Sequence, residues 1–267
     1  MRKITLSLLF VFAALLVNAQ TQAWEKRVHE GSVLLARTTL SEDAKAFVKS
    51  YLGQSFYEDV QYLYNLERKK QASHTPEIHY LHLDKNLRPM KVETEDIVTG
   101  IEEAMQIVRT RDGRERTEVV NALRTIINLM SDMHTISHIR IEGIPQSWEE
   151  FQLVCYSGDT PKYNKRKHSI RWSRFWNVFN GWHNGMTGAM WAYDYEMAFG
   201  HKAKNYTAGS LHDWASDCGK TAVEMFKWAA PEYEMPRIQR NELKDLHFEM
   251  MAKAGYRLGV LLEELAQ

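Results

Sequence analysis

Apolar residues recur along most of this chain with the 3.6-residue period of an α-helix, and this pattern limits the possible folds more than any other feature. One helical face joins Ile97, Ile101, Met105 and Val108, and a second joins Val120, Leu123, Ile127 and Met130. The C-terminal stretch from Asn241 repeats the pattern with Leu243, Leu246, Met250, Leu258, Leu261 and Leu265. Alternating apolar and polar runs between hairpin turns are absent, as are internal repeats and Gly/Ser-rich linkers. The pattern therefore predicts an all-α fold in a single compact helical domain.

Polar residues before two of the helical segments are typical of helix N-termini. Ser41 precedes Glu42 and Asp43, and the apolar residues after them lead toward Gly53. Asp96 stands directly before the first apolar face described above. A side chain of this type caps the first turn by accepting a hydrogen bond from a free backbone N–H group. We expect helices to begin at both positions.

The N-terminus has the pattern of a secretory signal. Arg2 and Lys3 are followed by a short apolar stretch and then by small residues up to Ala23. This predicts a signal peptide over residues 1–23 and a mature domain over 24–267, exported to a periplasm or secreted. No later segment is apolar enough to cross a membrane, and we expect a monomer. Cys155 and Cys218 could pair in an oxidising compartment or remain two buried thiols.

The charges exclude a general electrostatic attraction to nucleic acid. Lys and Arg together number 34, as do Asp and Glu, so the formal net charge is zero and any such contact must be local. One local candidate is the segment Pro161–Arg174, where six basic residues alternate with Tyr163 and Trp172. Basic groups among aromatic rings suit a single-stranded nucleic acid. A solvated basic surface loop is the alternative interpretation.

Eleven histidines provide an ample supply of metal ligands, and the first candidates lie near the expected mature N-terminus. Cleavage after Ala23 would free the α-amino group of Trp24, which could chelate a metal together with its own carbonyl group. His29, five residues on, could add a third ligand. Core packing of both side chains is the alternative.

Two further groups of residues have metal-ligand chemistry. Asp59 and then His79 could bind zinc, which accepts nitrogen and oxygen donors, although His82 competes with His79 for this role. Asn128 and Asp132 are four residues apart and therefore share one helical face. His138 lies six residues beyond Asp132, off that face, so helix curvature or a partner helix must bring it near. A polar cluster at a helix end is the alternative for this last group.

An ordered set of residues and segments runs from the expected mature N-terminus to the last helix. It comprises Trp24, His29, Asp59, His79, Asp132 and His138, followed by Trp214-Ala-Ser-Asp217 and Ala252-Lys-Ala-Gly-Tyr-Arg-Leu258. This set resembles the S-one/P-one family of zinc-dependent single-strand nucleases, which is related to zinc-dependent phospholipase C. The resemblance covers essentially the whole mature chain and implies a helical domain of the phospholipase C and nuclease type.

The resemblance implies a helical cleft that holds up to three zinc ions. Trp24, His29 and Asp132 would hold one ion. Asp59 and His79 would hold its neighbour, with Asp132 bridging the two. A zinc-bound hydroxide would attack the phosphodiester, with Asp59 and Asp132 as the catalytic carboxylates.

The resemblance also implies a third zinc ion and a substrate site. His138 and His183 would bind this ion, which stabilises charge on the phosphate. Tyr80 would stack on a base, and His82 would contact the edge of the base. The implied substrates are single-stranded DNA or RNA, or 3′-nucleotides.

The chain departs from the family pattern at several of these positions. Asn128 stands where the family has a zinc-binding histidine, and Tyr62 stands where it has an arginine that meets the phosphate. The third-ion pair is broken in either register. One register keeps His183 but places Thr187 at the acidic position, and the other places Met190 at the histidine position.

These departures leave three functions open. The first is a zinc-dependent phosphodiesterase that acts on single-stranded nucleic acid or nucleotides. The second is another phosphoester hydrolase, similar to phospholipase C. The third is a non-catalytic member that binds a ligand with fewer zinc ions or none.

Overall fold

The computed structural model describes residues 26–145, 151–156, 167–171, 185–227 and 233–267. Helices dominate these residues, so the predicted all-α fold is confirmed. In chain order the α-helices are α1 (26–39), α2 (Glu42–Leu52), α3 (Tyr62–Arg68), α4 (Ile97–Arg109), α5 (Arg116–Met133), α6 (Gly188–Phe199), α7 (Ala203–Tyr206), α8 (Leu211–Phe226) and α9 (Arg237–Ala266). Short 3₁₀ helices cover Phe56–Gln61, Pro76–His79, Ile136–His138 and Gly200–Lys202. No helix among the described residues has the length and apolar character needed to cross a bilayer.

Two small sheets accompany the helices. β1 (Leu81–Leu83) and β2 (Ile139–Ile141) form a parallel pair. β3 (Gln152–Tyr156) lies between β4 (Lys167–Arg171), to which it is antiparallel, and β5 (Tyr233–Glu234), to which it is parallel. β1, β2 and β5 have only two or three residues, and the five residues of β3 and of β4 do not alternate between apolar and polar types, which is why the sequence gives little sign of the strands. β4 is the only described part of the basic segment from Pro161 to Arg174.

Both predicted helix starts are confirmed. The Ser41 hydroxyl accepts a hydrogen bond from the Ala44 N–H and begins α2. That helix stops at Gly53, whose φ of 78° lies in the region that favours glycine. Asp96 begins α4 with a reciprocal pair of hydrogen bonds to Thr99, in which each side chain accepts from the backbone N–H of the other residue.

α5 lies at the centre of the core, where it packs against α2, α4 and α9. Its apolar residues Leu123, Ile127 and Met130 are completely buried. The same helix also completely buries two polar side chains, Asn128 and Asp132. Because an unpaired polar group costs roughly 2–7 kcal/mol to bury, these two side chains require partners inside the protein. Those partners define the candidate site.

α1 is held in close contact with α9 and α6 through positions that lack a side chain. A Cβ atom at Gly255 on α9 would lie 2.6 Å from the Ser32 carbonyl oxygen of α1. A Cβ atom at Gly31 would lie 2.5 Å from the Cβ of Trp191 on α6. Both distances are shorter than real Cβ contacts, so the packing depends on glycine. This packing places His29 in the interior.

The two C-terminal segments of the family resemblance contact each other. Asp217 on α8 accepts hydrogen bonds from Arg257 Nη2 (2.6 Å) and Lys253 Nζ (2.8 Å), both on α9. Arg257 Nη1 also donates to His134 Nε2 at 2.9 Å, just beyond the end of α5. The adjacent Cys218 is a free, buried cysteine, and burial raises the pKa of its thiol to about 12. The segments thus connect the last helix to the end of α5.

Candidate metal centre

Asp132 occupies the centre of the candidate site, in the last turn of α5. Its Oδ2 atom accepts hydrogen bonds from Asn128 Nδ2 at 2.8 Å and from His79 Nδ1 at 2.7 Å. The predicted shared face of Asn128 and Asp132 is therefore confirmed. Asn128 Oδ1 also accepts from the Leu63 N–H at 2.9 Å, which attaches the start of α3 to α5. With both ends of its amide used in this way, Asn128 has a structural role.

The second nitrogen of His79 faces a group of metal-ligand type. His79 Nε2 lies 3.4 Å from Glu67 Oε1, and His74 Nε2 lies 3.3 Å from the same oxygen. The three ligand atoms all lie within 4.8 Å of one another. Among the described residues, this is the one group of three His, Cys, Asp or Glu side chains that satisfies this criterion.

Three short segments bring these ligands together. Glu67 lies in the last turn of α3, His74 lies in the following loop, and His79 ends the 3₁₀ helix Pro76–His79. The ring of Tyr64, one turn before Glu67, stacks on His79 with 3.9 Å between centroids. The chain therefore folds back from α3 so that the Tyr64 ring covers a face of His79 while the Nδ1 edge of His79 meets the Asp132 carboxylate.

The charges around His79 favour its protonated form when no ion is bound. Burial alone would lower its pKa, but the hydrogen bond and charge of Asp132, together with Glu67, outweigh this effect and raise the pKa. His79 Nε2 and His74 Nε2 are buried, and neither makes a hydrogen bond with the described residues. A metal cation placed between Glu67, His74 and His79 would replace the proton and satisfy all three groups.

His138 reaches this region because α5 ends before it. The helix stops at Met133, and the chain turns into the 3₁₀ helix Ile136–His138. His138 Nδ1 then donates to the His79 carbonyl oxygen at 2.7 Å. Because Nδ1 carries the proton, the Nε2 atom of a neutral His138 is an acceptor, and the Tyr64 hydroxyl donates to it at 3.4 Å. Burial lowers the pKa of His138 and favours this neutral form.

His29 approaches Asp132 from α1. Its Nε2 atom lies 3.3 Å from the Thr135 hydroxyl. Burial lowers the pKa of His29 to about 4, although the negative charge of Asp132 opposes the shift. Asp132 Oδ1 is itself buried and accepts no hydrogen bond from the described residues. The neutral His29 imidazole, which senses the charge of Asp132, and the Asp132 Oδ1 atom are both groups that can bind a metal.

Asp59 forms an ion pair with Arg124. Its Oδ1 atom lies 3.1 Å from Arg124 Nε on α5, and burial raises its pKa despite the opposing charge of Arg124. Asp59, His79 and Asp132 do not form a group of mutually close ligand atoms in this structure. The shared zinc ion implied for these three residues stays a prediction.

Tyr80 and His82 lie beside the site but have protein partners. The Arg140 guanidinium lies over the Tyr80 ring, 3.9 Å from its centroid, and the His138 ring stacks near it at 5.7 Å. His82 Nε2 lies 3.7 Å from Glu77 Oε2, and burial lowers the pKa of His82. The base-contacting roles implied for Tyr80 and His82 also stay predictions.

The remaining predicted ligands, Trp24 and His183, lie outside the described residues. At the positions where the third-ion pair is broken, Thr187 caps α6 through a hydrogen bond from the Met190 N–H, and the Met190 side chain is 51% exposed. His134 makes hydrogen bonds through both of its nitrogens, to Met130 and Arg257. It is therefore occupied by the scaffold.

Sequence reasoning missed Glu67 and His74. The spacing from Glu67 to His74 is seven residues and from His74 to His79 five. Seven residues would be two helical turns, but α3 ends at Arg68, so no helix carries this spacing. The one available signal was the presence of an acid and two histidines within thirteen residues of the chain, one of these histidines being the predicted ligand His79. No family model matches this chain, and no curated protein does.

Proposed function

We propose that this protein is a metal-dependent phosphodiesterase, with zinc as the ion and single-stranded nucleic acid or nucleotides as substrate. One observation carries the proposal. The buried His79 ring donates to the Asp132 carboxylate through Nδ1 and directs Nε2 toward Glu67 and His74. This is the arrangement in which a carboxylate orients a metal-binding histidine and increases its basicity.

The donor atoms suit zinc. Two imidazoles and one carboxylate are ligands that zinc binds in hydrolytic sites, where three protein ligands leave a fourth position open. The Glu67 side chain is 28% exposed and Tyr64 is 36% exposed, so solvent reaches this side of the group. A zinc ion held there would act as a Lewis acid and lower the pKa of a coordinated water toward about 7.

The family resemblance implies a second ion at Asp132, which Asp132 and His29 would help to bind. The buried Asp132 Oδ1 atom and the neutral His29 are both suitable donors. His138 could bind a further ion through Nε2, which accepts a hydrogen bond from the Tyr64 hydroxyl when no ion is present. In this arrangement Asp132 is the structural link between the ions, because His79 and Asn128 fix its orientation.

A second candidate function is metal binding without catalysis. It is favoured by the Arg124 guanidinium beside Asp59 and by the Asn128 amide, which is fully used in hydrogen bonds. The first feature occupies an expected ligand, and the second leaves an amide where the family has a zinc-binding histidine. Under this alternative the site binds zinc through Glu67, His74 and His79 but does not cleave phosphodiesters.

Zinc content and nuclease activity test the proposal together. The full chain is expressed with its own leader and purified. Zinc per chain is then measured by elemental mass spectrometry, and hydrolysis of single-stranded DNA and RNA is measured on the same samples. The variants are Glu67→Gln, His74→Ala and Asp59→Asn. His212→Ala, which removes an exposed histidine paired with Glu102, is the matched control.

We expect bound zinc and strand cleavage in the wild type and in the His212 control, with both reduced in the Glu67 and His74 variants. Zinc that is lost only in the Asp59 variant would favour the ligand set of the family resemblance over this one. Zinc binding without cleavage of any substrate would leave the second candidate function. A wild-type protein that binds no zinc would refute both functions.

A further inference from the structure

Tyr64 contacts two histidines of the candidate metal centre from one position on α3. Its ring stacks on the His79 imidazole, with 3.9 Å between the centroids and 16° between the planes. Its hydroxyl donates to His138 Nε2 at 3.4 Å. Both histidines are buried, whereas Tyr64 is exposed at the surface. One surface side chain is thus connected to two interior rings, to one through its aromatic face and to the other through its hydroxyl.

The placement of α3 brings a second group to His79 from the same side. Glu67 lies one turn after Tyr64 and shares its side of the helix, and Glu67 Oε1 lies 3.4 Å from His79 Nε2. The Leu63 N–H, next to Tyr64, donates to Asn128 Oδ1 at 2.9 Å and attaches α3 to α5. The ring of Tyr64 and the carboxylate of Glu67 therefore approach His79 together, on a helix that is fixed beside them.

The Tyr64 ring restricts the orientation of the His79 imidazole. The two rings are nearly parallel, so rotation of the imidazole about its χ2 angle would tilt it against the tyrosine ring. With this rotation limited, Nδ1 stays on Asp132 and Nε2 stays directed toward Glu67. Metal binding then costs less conformational entropy, because the ligand already has the orientation that it needs. A stacked pair of this kind contributes a factor of about two to ten to an equilibrium constant.

The Tyr64 hydroxyl has the opposite effect at His138. His138 Nδ1 donates to the His79 carbonyl oxygen at 2.7 Å, so Nε2 is the nitrogen through which His138 could bind an ion. That nitrogen has a single lone pair in the plane of the ring, and this lone pair accepts the hydrogen bond from Tyr64. An ion at His138 must therefore displace the hydroxyl. Loss of a neutral hydrogen bond lowers the affinity for such an ion by a factor of about two to ten.

We propose that Tyr64 is a positioning residue that determines which ligands of the candidate centre hold metal. Its ring favours an ion at the group of Glu67, His74 and His79, and its hydroxyl disfavours an ion at His138. This inference rests on the metal binding in the proposed function and deepens it by assigning a residue that controls ion occupancy. Tyr64 acts through the two histidines and is not itself a ligand.

Zinc titration of the metal-free full chain by isothermal titration calorimetry tests both effects without measuring turnover. Tyr64→Phe keeps the ring and removes the hydroxyl, whereas Tyr64→Leu and Tyr64→Met remove both. Tyr64→Phe is also made in a His138→Ala background, because an effect transmitted through His138 must vanish there. Tyr193→Leu, at an exposed tyrosine of α6, is the matched control. Thermal midpoints of the metal-free proteins show whether each variant folds.

We expect Tyr64→Phe to keep the affinity of the tightest zinc site within about twofold of the wild type and to tighten a weaker site at His138 by about two- to tenfold. Tyr64→Leu and Tyr64→Met should weaken the tightest site by about two- to tenfold, so that phenylalanine, but neither aliphatic side chain, preserves it. In the His138→Ala background, Tyr64→Phe should change nothing. The Tyr193 control should match the wild type.

The two effects can fail separately. A tightest site with unchanged affinity in either folded aliphatic variant would overturn the role of the ring. A weaker site that is missing in Tyr64→Phe, that does not tighten there, or that tightens equally without His138 would overturn the role of the hydroxyl.

The same samples separate this inference from the proposed function. Strand cleavage that persists while zinc binding ignores Tyr64 would overturn the inference and leave the phosphodiesterase proposal intact. Zinc binding that depends on Tyr64 as expected, in a protein that cleaves no substrate, would support the inference and remove the phosphodiesterase function. A wild-type protein that binds no zinc would refute both.

Discussion

Replacement of Arg257 by methionine should destabilise the fold by about 3–5 kcal/mol, the range for removing one partner of a buried ion pair. Arg257 is 3% exposed. Its Nη2 donates to Asp217 at 2.6 Å, its Nε to the Tyr206 carbonyl oxygen at 2.9 Å, and its Nη1 to His134 Nε2 at 2.9 Å. Methionine fills much of the same volume, so the expected loss comes from these polar contacts.

The three groups that accept hydrogen bonds from Arg257 lead to the same range of destabilisation. His134 Nδ1 must donate to the Met130 carbonyl oxygen, which can only accept, so His134 Nε2 has a lone pair that only Arg257 satisfies among the described residues. Each neutral acceptor that loses its partner in the interior costs about 1–3 kcal/mol. The loss of Arg257 costs less at Asp217, because Asp217 keeps its hydrogen bond from Lys253 and its side chain is 33% exposed. Two neutral acceptors and a weakened ion pair therefore give several kcal/mol.

Urea unfolding followed by circular dichroism measures this loss for the full chain. Arg109→Met is the matched control, because it removes an arginine from an exposed pair with Glu264 and should cost less than about 1 kcal/mol. If Arg257→Met lost no more stability than this control, the assignment of Arg257 as a buried structural cation would be refuted.

Three further predictions concern the scaffold. Gly255→Ala should destabilise by about 1–3 kcal/mol, because its new Cβ would meet the Ser32 carbonyl oxygen, and the thermal midpoint reports the loss. Asp96→Ala removes a capping side chain and should cost about 0.5–2 kcal/mol in urea unfolding. Burial alone would raise the pKa of Asp217, but hydrogen bonds from Lys253 and Arg257 outweigh this effect and lower it. The stability that Asp217 confers is therefore present above its ordinary pKa of 3.8 and lost as the pH falls toward the lowered value. Asp217→Asn should accordingly lose less stability than the wild type between pH 6 and pH 3.

Much of the fold was predictable because its signals are local. The face of Ile97, Ile101 and Val108 and the capping residues Ser41 and Asp96 each act within one or two helical turns. The strands were missed because residues such as Leu81–Leu83 form a sheet only through a partner more than fifty positions away. A run of three residues provides no period from which that partnership could be recognised.

The candidate site was predictable only where helical spacing or the family resemblance applied. Asn128 and Asp132 share a face by helical geometry, and the resemblance selected His79 over the competing His82. Glu67 and His74 were missed because a loop, and not a regular element, brings them to His79. The Arg124 guanidinium beside Asp59 was missed for a related reason. A side chain on α5 reaches a preceding 3₁₀ helix across a tertiary contact that no local pattern reports.

The C-terminal segments of the family resemblance bear on the candidate site because they contact His134. Asp132 is in the last turn of α5 and His138 is six residues further on, so the turn between them decides whether both face the same site. His134 lies in that turn, and Arg257 holds its ring while Asp217 holds Arg257. The α8–α9 contact therefore supports the turn in which α5 ends. Since this turn brings His138 to His79, although helical spacing alone would direct it away, the contact connects the stability of the scaffold to the geometry of the candidate metal centre.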